Sequence, residues 1–338
     1  MKSKLNVGVI GLGRLGQVYA ADLAHLVPNA NLVAVADLKT ELAQKFANDY
    51  QIPKWYGNHH EIINDKEIDA IVVISSTSAH KEIVIEAAKN GKAVFCEKPI
   101  SLTLENAKEM ADVIKSTGAF LQMAFQRRFD RGYAAALKKI DEGVIGEPVL
   151  LVSISRDPSR PPLEFCDPTK SGGMIADMGA HDFDVCRMFM GEVKSVYSVG
   201  GALAYPEMKE VGDIDNAIVS VTFESGKVGH VNLSRNAIFG YDIRTEIWGT
   251  KGSLQVGYFR ETPLLVMVKE GITHDVVPHF MERFELAYLA QIRNFVDNVL
   301  HEKEPAIKAE DAIAALKISL AATKSHKENR VVEVKTIV

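Results

Sequence analysis

The chain has 338 residues, 47% of them hydrophobic and 25% charged, with a formal net charge of −5. That length exceeds what one hydrophobic core usually serves, so two domains are expected. The acidic balance argues against nucleic acid as the main partner, and no uninterrupted apolar stretch reaches the roughly 20 residues that span a bilayer.

The basic start Met1-Lys2-Ser3-Lys4 resembles the opening of a signal peptide, but Gly8, Gly11, Gly13 and Arg14 break the apolar run that follows. Leu5–Ile10 reads as a buried strand, Leu15–Val27 as a helix, Leu32–Ala36 as a strand and Glu41–Tyr50 as a helix. Ala70–Ile74 is another strand, and His80–Asn90 is a helix stopped at Gly91. Ala93–Phe95, Leu104–Thr117 and Phe120–Met123 continue the alternation. Short apolar strands alternating with helices predict a doubly wound parallel sheet over residues 1–124.

The pattern changes over residues 125–338. Tyr133–Glu142 reads as a helix, Pro148–Arg156 as a strand, Asp157–Gly173 as a long Pro- and Gly-rich loop, and Met174–Met190 as a helix. Strand-like runs broken by glycines fill Val193–Val268 and predict a large open, mainly antiparallel sheet. Helices near Glu282–His301 and Ala309–Lys327 and a strand at Val331–Lys335 close the chain. The fold class is therefore α/β followed by an α+β domain, with the boundary a junction inside a compact body.

Gly11-Leu12-Gly13-Arg14-Leu15-Gly16 fits Gly-x-Gly-x-x-Gly. The pattern is weak alone, but here it leaves a predicted strand and opens a predicted helix. Gly11 serves the tight turn, Gly13 the approach of a pyrophosphate, and Gly16 close helix–sheet packing. Asp37 follows the second strand, where a carboxylate accepts from a ribose diol and repels a 2′-phosphate, so NAD is preferred over NADP. It also suits a helix N-cap. Ser75-Ser76-Thr77 follows the third core strand, where its hydroxyls either line the cofactor or cap the helix carrying His80. The expected cofactor contacts are Gly11, Gly13, Arg14, Leu15, Gly16, Asp37, Ser75, Ser76, Thr77, His80, Glu97, Lys98 and Gln126.

Two further segments carry chemistry. In Cys96-Glu97-Lys98-Pro99 the lysine follows a strand, where an ammonium can stabilise a developing alkoxide; the same tetrapeptide also serves as a common surface turn. Asp177 and His181 stand four apart on a predicted helix, on one face. Alcohol oxidation needs a base for the hydroxyl proton, and histidine suits that role near neutrality. An ordinary helix-bracing pair uses the same spacing.

Together, and in this order, these motifs resemble the glucose–fructose oxidoreductase/inositol dehydrogenase/rhizopine-catabolism (Gfo/Idh/MocA) family over essentially the whole chain. Val94 to Pro99, Arg127-Arg128-Phe129-Asp130, Ile145-Gly146-Glu147-Pro148 and Gly240-Tyr241-Asp242 draw the resemblance towards its inositol 2-dehydrogenase branch. The resemblance implies a Rossmann domain, then a substrate-binding and oligomerisation domain forming a homo-oligomer, a dimer or tetramer. It implies hydride transfer to NAD from a secondary hydroxyl of a cyclic polyol such as an inositol. Lys98, Asp177 and His181 fall at the family's catalytic positions, and Lys98, Arg127, Asp157, Asp177, His181 and Tyr241 approach the substrate. Gln126 stands where inositol dehydrogenases often carry an apolar residue, and Asn is seen near the position of Asp157, which bears on the choice among isomers and sugars. A pyranose dehydrogenase, an NAD-dependent redox glycosidase and a non-catalytic sensor share the scaffold. The intact Lys98, Asp177 and His181 weigh against the sensor.

Other features read more plainly. Cys96, Cys166 and Cys186 are odd in number and far apart, fitting buried apolar fillers and a reducing cytoplasm rather than zinc ligands or disulfides. His59-His60 are adjacent, cannot share a helix face and read as surface residues. Arg127, Arg128, Arg156 and Arg160 fit either an acidic substrate or ion pairs with Asp130, Asp157 and Glu164. Phe284, Leu286, Tyr288, Leu289, Ile292, Phe295 and Val296 form the core stripe of an amphipathic helix, from which Tyr288 could reach a substrate pocket.

Overall fold

The computed structural model describes residues 3–258 and 260–338; Met1 and Lys2 of the basic start lie outside the described residues. The chain forms two compact units, residues 1–126 with 286–313 and residues 127–285 with 314–338.

In the first unit β1 (Leu5–Ile10), β2 (Ala30–Ala36), β3 (Lys54–Tyr56), β4 (Ala70–Val73), β5 (Ala93–Glu97) and β6 (Leu121–Ala124) form one sheet in the order β3-β2-β1-β4-β5-β6. All its pairs are parallel. The crossovers are α1 (Arg14–His25), α2 (Thr40–Asp49), α3 (His59–Asn64), α4 (Thr77–Lys89) and α5 (Leu104–Thr117). Every residue of β4 and β6 is buried, which explains why such strands read as apolar runs without alternation. Helix ends follow local chemistry: the Thr103 hydroxyl accepts the Asn106 N–H at the start of α5, and Gly118 stops it at φ +67°. The short β3 and α3 escape the sequence reading, because three strand residues and one helical turn and a half carry too little periodicity. Strand order reverses between β1 and β4, opening a crevice at their carboxyl ends.

The second unit is built on a seven-stranded sheet. Its strands are β7 (Pro148–Arg156), β8 (Val193–Gly201), β9 (Asn216–Phe223), β10 (Val228–Ser234), β11 (Asp242–Gly249), β12 (Ser253–Val256) and β15 (Val332–Glu333). They run in the order β12-β11-β7-β10-β9-β8-β15, antiparallel except between β7 and β10. A separate hairpin pairs β13 (Val266–Val268) with β14 (Gly271–Thr273). Helix α6 (Arg131–Asp141) precedes the sheet, its N-terminal amides of Gly132 and Tyr133 capped by Asp130. Burial alternates along β7 and β9, as a sheet covered on one face requires. The cover includes α9 (Met174–Met190), which lies against β7 and β10. Ile175, Met178, Phe183 and Cys186 pack there with Leu151, Val219, Val231 and Leu233.

The segment 157–173, expected as a bare loop, holds two short helices, α7 (Leu163–Cys166) and α8 (Pro168–Ser171). Pro168 opens the second, with the Asp167 carboxylate accepting from Thr169 N–H at 2.8 Å, so its prolines start turns as well as interrupt them. Helices α10 (Phe280–Leu300) and α11 (Ala309–Glu328) carry the chain from one unit to the other and back. Within the apolar stripe of α10, Phe284, Tyr288, Ile292, Phe295 and Val296 are buried, but Leu286 is exposed, contrary to the core reading.

Candidate active site

In the first unit the turn after β1 has three glycines with three different physical reasons. Gly11 adopts φ +93°, and a Cβ there would lie 2.6 Å from the Ile74 carbonyl oxygen. A Cβ on Gly16 would collide with the Gly11 carbonyl oxygen, so helix α1 can pack on the turn only without a side chain there. A Cβ on Gly13 would meet nothing within 4 Å. Gly13 is also the N-cap of α1, with no side-chain hydrogen bond closing the helix end. Its vacant side is what a pyrophosphate needs in order to approach the amides of the first turn.

Asp37, directly after β2, accepts the Leu12 N–H at 2.7 Å through Oδ2 and the Lys39 N–H at 2.8 Å through Oδ1. The carboxylate is thereby fixed beside the glycine turn, with lone pairs remaining for a diol. The N-cap of α2 is Lys39 rather than Asp37. Ser76 is the N-cap of α4 and Thr77 its first residue. His80 is buried, its ring nitrogens 2.9 Å from the Pro99 carbonyl oxygen and 3.2 Å from that of Ser75. Burial lowers its pKa, against the raising effect of the Pro99 and Ser75 carbonyls, and the ring braces two loops.

Glu97 ends β5, fully inside the unit, and accepts from the Tyr19 hydroxyl at 2.8 Å and from the Lys98 N–H at 3.0 Å. The Gln291 amide of α10 donates to the same tyrosine oxygen. Burial raises the Glu97 pKa to about 7, against the lowering effect of its Tyr19 bond and the nearby Lys98. This chain fixes the backbone from which the half-buried Lys98 projects. Tyr288 packs edge-on against Tyr19, buried at 4% exposure, which gives it a place in this core. Gln126 is buried as well.

In the second unit α9 is buried at nearly every position; Asp177 and His181 are exceptions, one turn apart. The mostly buried helix therefore presents one acid and one imidazole on a single face. The Arg235 guanidinium, 1% exposed, donates to Asp177 Oδ2 at 3.2 Å and to Asp213 Oδ2 at 3.4 Å. Asp213 in turn accepts the Met174 N–H at 3.0 Å, capping α9 from outside the helix. Burial pushes the Asp213 carboxyl above its ordinary pKa, against the Met174 and Arg235 contributions.

Arg127, expected near the substrate, is 2% exposed and committed to Asp182 at 2.8 Å and to the Ser155 hydroxyl at 2.7 Å. Ser153 and Ser155 also donate to Asp182, at 2.6 and 2.7 Å. Tyr241 is buried at 9% exposure and packs edge-on against Phe284. Burial and the negative charge of Asp157 push its hydroxyl far above the ordinary tyrosine pKa, while Arg127 opposes them. Arg127, Asp157 and Tyr241 therefore share one electrostatic neighbourhood.

The arginine partners differ from the sequence expectation. Arg127 meets Asp182, Arg128 Asp184, Arg156 Asp242 and Arg160 Glu207, whereas Asp130 pairs with Arg283 and Glu164 with Lys170. Sequence reasoning missed Arg235, Asp213 and Asp182. The available signal was the charged residue itself: Arg235 directly follows strand β10, and Asp182 sits among mostly buried positions of α9. The three cysteines are buried and unbridged. His59 and His60, expected to diverge at the surface, converge instead, with ring centroids 4.0 Å apart.

Residues 5–125 match the family described as an oxidoreductase family with an NAD-binding Rossmann fold, and residues 137–334 match its C-terminal alpha/beta domain. The scyllo-inositol 2-dehydrogenase (NAD(+)) of Bacillus subtilis is 38% identical over 334 residues, covering 98% of this chain and 97% of that protein. The myo-inositol 2-dehydrogenase of Thermotoga maritima is 38% identical over 336 residues, covering 99% and 100%. Among solved structures, scyllo-inositol dehydrogenase from Lactobacillus casei with bound NAD(H) and scyllo-inositol superposes with a TM-score of 0.94 at 31% identity, covering 98% of this chain and 99% of that one. With both domains matched, and relatives of this identity aligned from end to end, the chain belongs to the Gfo/Idh/MocA oxidoreductase family.

Proposed function

We propose that this protein is an NAD-dependent dehydrogenase that oxidises one secondary hydroxyl of an inositol-class cyclic polyol to the ketone. The observation that carries the reading is the half-buried Asp177–His181 face on the mostly buried α9, in a chain similar along its whole length to inositol dehydrogenases.

The first unit fits the dinucleotide: Gly13 leaves a side of the turn open, and Asp37 is held beside it by Leu12 and Lys39. Gly11, Gly13, Arg14, Leu15 and Gly16 would hold the pyrophosphate, Asp37 the ribose, and Ser75, Ser76, Thr77, Glu97, Lys98 and Gln126 the remainder, with His80 bracing the loop. NAD bound there would supply the hydride acceptor for the carbinol carbon. His181 takes the hydroxyl proton, and the Lys98 ammonium stabilises the alkoxide character that develops. Asp177 fixes the imidazole and balances the charge of the pair. Asp157 and Tyr241 orient the polyol hydroxyls, and Arg127 stiffens the floor beneath them through Asp182.

Asp37 favours NAD over NADP by repelling a 2′-phosphate. A homo-oligomer is supported by the open face of the seven-stranded sheet, where Trp248 and Val228 flank Leu150 in one register row and Ile218 pairs with Val199 in another; all but Leu150 are prominently exposed. Three unbridged cysteines suit a reducing cytoplasm.

The test is a panel of myo-, scyllo- and chiro-inositol, glucose and galactose with NAD or NADP, followed by nicotinamide absorbance. NADH formation with one or more inositols is expected. Turnover confined to pyranoses, or of glycosides without net NADH, would replace the inositol reading.

A further inference from the structure

Outside the residues assigned to oxidation, α3 and α4 bring four ligand-type side chains together within the first unit. His59 and His60 open α3, just after the N-cap Asn58, whose side chain accepts the Glu61 N–H at 3.0 Å. Glu82 and Glu86 stand one turn apart on α4. His60 Nδ1 lies 2.7 Å from Glu86 Oε2. His59 Nε2 lies 3.5 Å from that oxygen and 3.5 Å from Glu82 Oε1, while His60 Nε2 is 4.0 Å from Glu82 Oε1. His59 Nε2 is shut off from solvent and has no hydrogen-bond partner among the described residues. A buried ring nitrogen facing two carboxylates beyond hydrogen-bond reach is unfavourable, and a shared cation between them removes that cost.

The spacing suits a small divalent ion. Zinc bonds to nitrogen and oxygen of about 2.0–2.1 Å put neighbouring tetrahedral ligands roughly 3.4 Å apart. The two His59–glutamate separations of 3.5 Å already match. The His60–Glu86 pair needs to open by about 0.7 Å, and His60 and Glu82, whose present approach is through the other ring nitrogen, are exposed enough to adjust. Two neutral imidazoles and two carboxylates also balance a doubly charged ion. Mixed nitrogen and carboxylate donors select zinc, cobalt or nickel over magnesium and calcium.

We propose that His59, His60 and Glu86 form a divalent transition-metal site that ties α3 to α4, with the Glu82 carboxylate beside His59 as the fourth ligand after a change of rotamer, separate from the dehydrogenase residues. Binding to the folded state alone would stabilise the protein by mass action.

The test uses the full chain after treatment with chelator, titrated with Co²⁺ and then displaced by Zn²⁺. Expected are one equivalent of Co²⁺ with the strong visible bands of a tetrahedral site, their loss on adding Zn²⁺, and a rise in thermal midpoint. His59→Ala and Glu86→Gln, each checked for native circular dichroism, should weaken Co²⁺ at least tenfold and abolish the rise. Absence of stoichiometric binding, or equal binding by the wild type and both variants, overturns the site. These readouts need neither NAD nor polyol, so they stand or fall independently of the dehydrogenase reading.

Discussion

The Arg235 guanidinium donates to the Asp177 carboxylate at 3.2 Å and, with its other arm, approaches Asp213 at 3.4 Å, tying the acid of the proposed catalytic face to the residue that caps its helix. An arginine buried between two carboxylates holds both in place, and a lysine cannot reproduce that fork. Arg235→Lys should therefore fold but lose about tenfold to a hundredfold in kcat, with little change in NAD affinity. Normal kcat together with a normal KM for the polyol would confine Arg235 to a structural role. Arg235→Leu leaves two carboxylates facing a lost cation and should destabilise by roughly 3–5 kcal/mol.

Lys98→Ala and His181→Ala test the chemistry more directly. Each should cut turnover by at least about a hundredfold while NAD still binds, because proton transfer and alkoxide stabilisation are lost and the glycine turn is untouched. Steady-state kinetics beside NAD titration by protein fluorescence separates the two effects. Near-normal turnover in both variants would remove them from the mechanism.

The glycines separate folding from cofactor binding. Gly13→Ala places a methyl in open space at an ordinary backbone angle of φ −61°, so its thermal midpoint should match wild type while NAD affinity falls at least about tenfold. Gly16→Ala should instead lower the midpoint, since its Cβ collides with the Gly11 carbonyl. Calorimetry with and without NAD reads both; unchanged NAD affinity in Gly13→Ala would move the pyrophosphate elsewhere.

Asp37→Ser removes the charge that repels a 2′-phosphate but keeps a short acceptor near the Leu12 amide. The ratio of kcat/KM for NADP to that for NAD should rise by about tenfold or more. A ratio that stays put would mean that Asp37 shapes the turn without reading the ribose.

Glu97 makes stability depend on pH. Its folded pKa of about 7 lies above the ordinary value of 4.5, so the folded state holds the proton more tightly. That contribution is complete below the unfolded pKa and is lost as pH rises through the folded one. Between pH 5 and 8 the loss is on the order of 2 kcal/mol. Glu97→Gln, which keeps an acceptor for Tyr19, should flatten this part of the profile in denaturant unfolding at the two pH values. An equal slope in both proteins would point to other groups.

Much of this protein is legible along the chain. Buried parallel strands, the glycine spacing, the end of α5 before Gly118, and the four-residue step from Asp177 to His181 are local features, set by backbone sterics and helical period. Their motifs, in order, also carry the family. The partners of Arg127, Arg128, Arg156 and Arg160 were not legible, nor was Arg235 between Asp177 and Asp213, because ion pairs across 22 to 86 positions depend on strand register and helix packing rather than on spacing. The meeting of His59 and His60 with Glu86 is of the same kind. Two neighbouring side chains on an ideal helix point apart, and only the packing of α3 on α4 turns their rings towards one carboxylate.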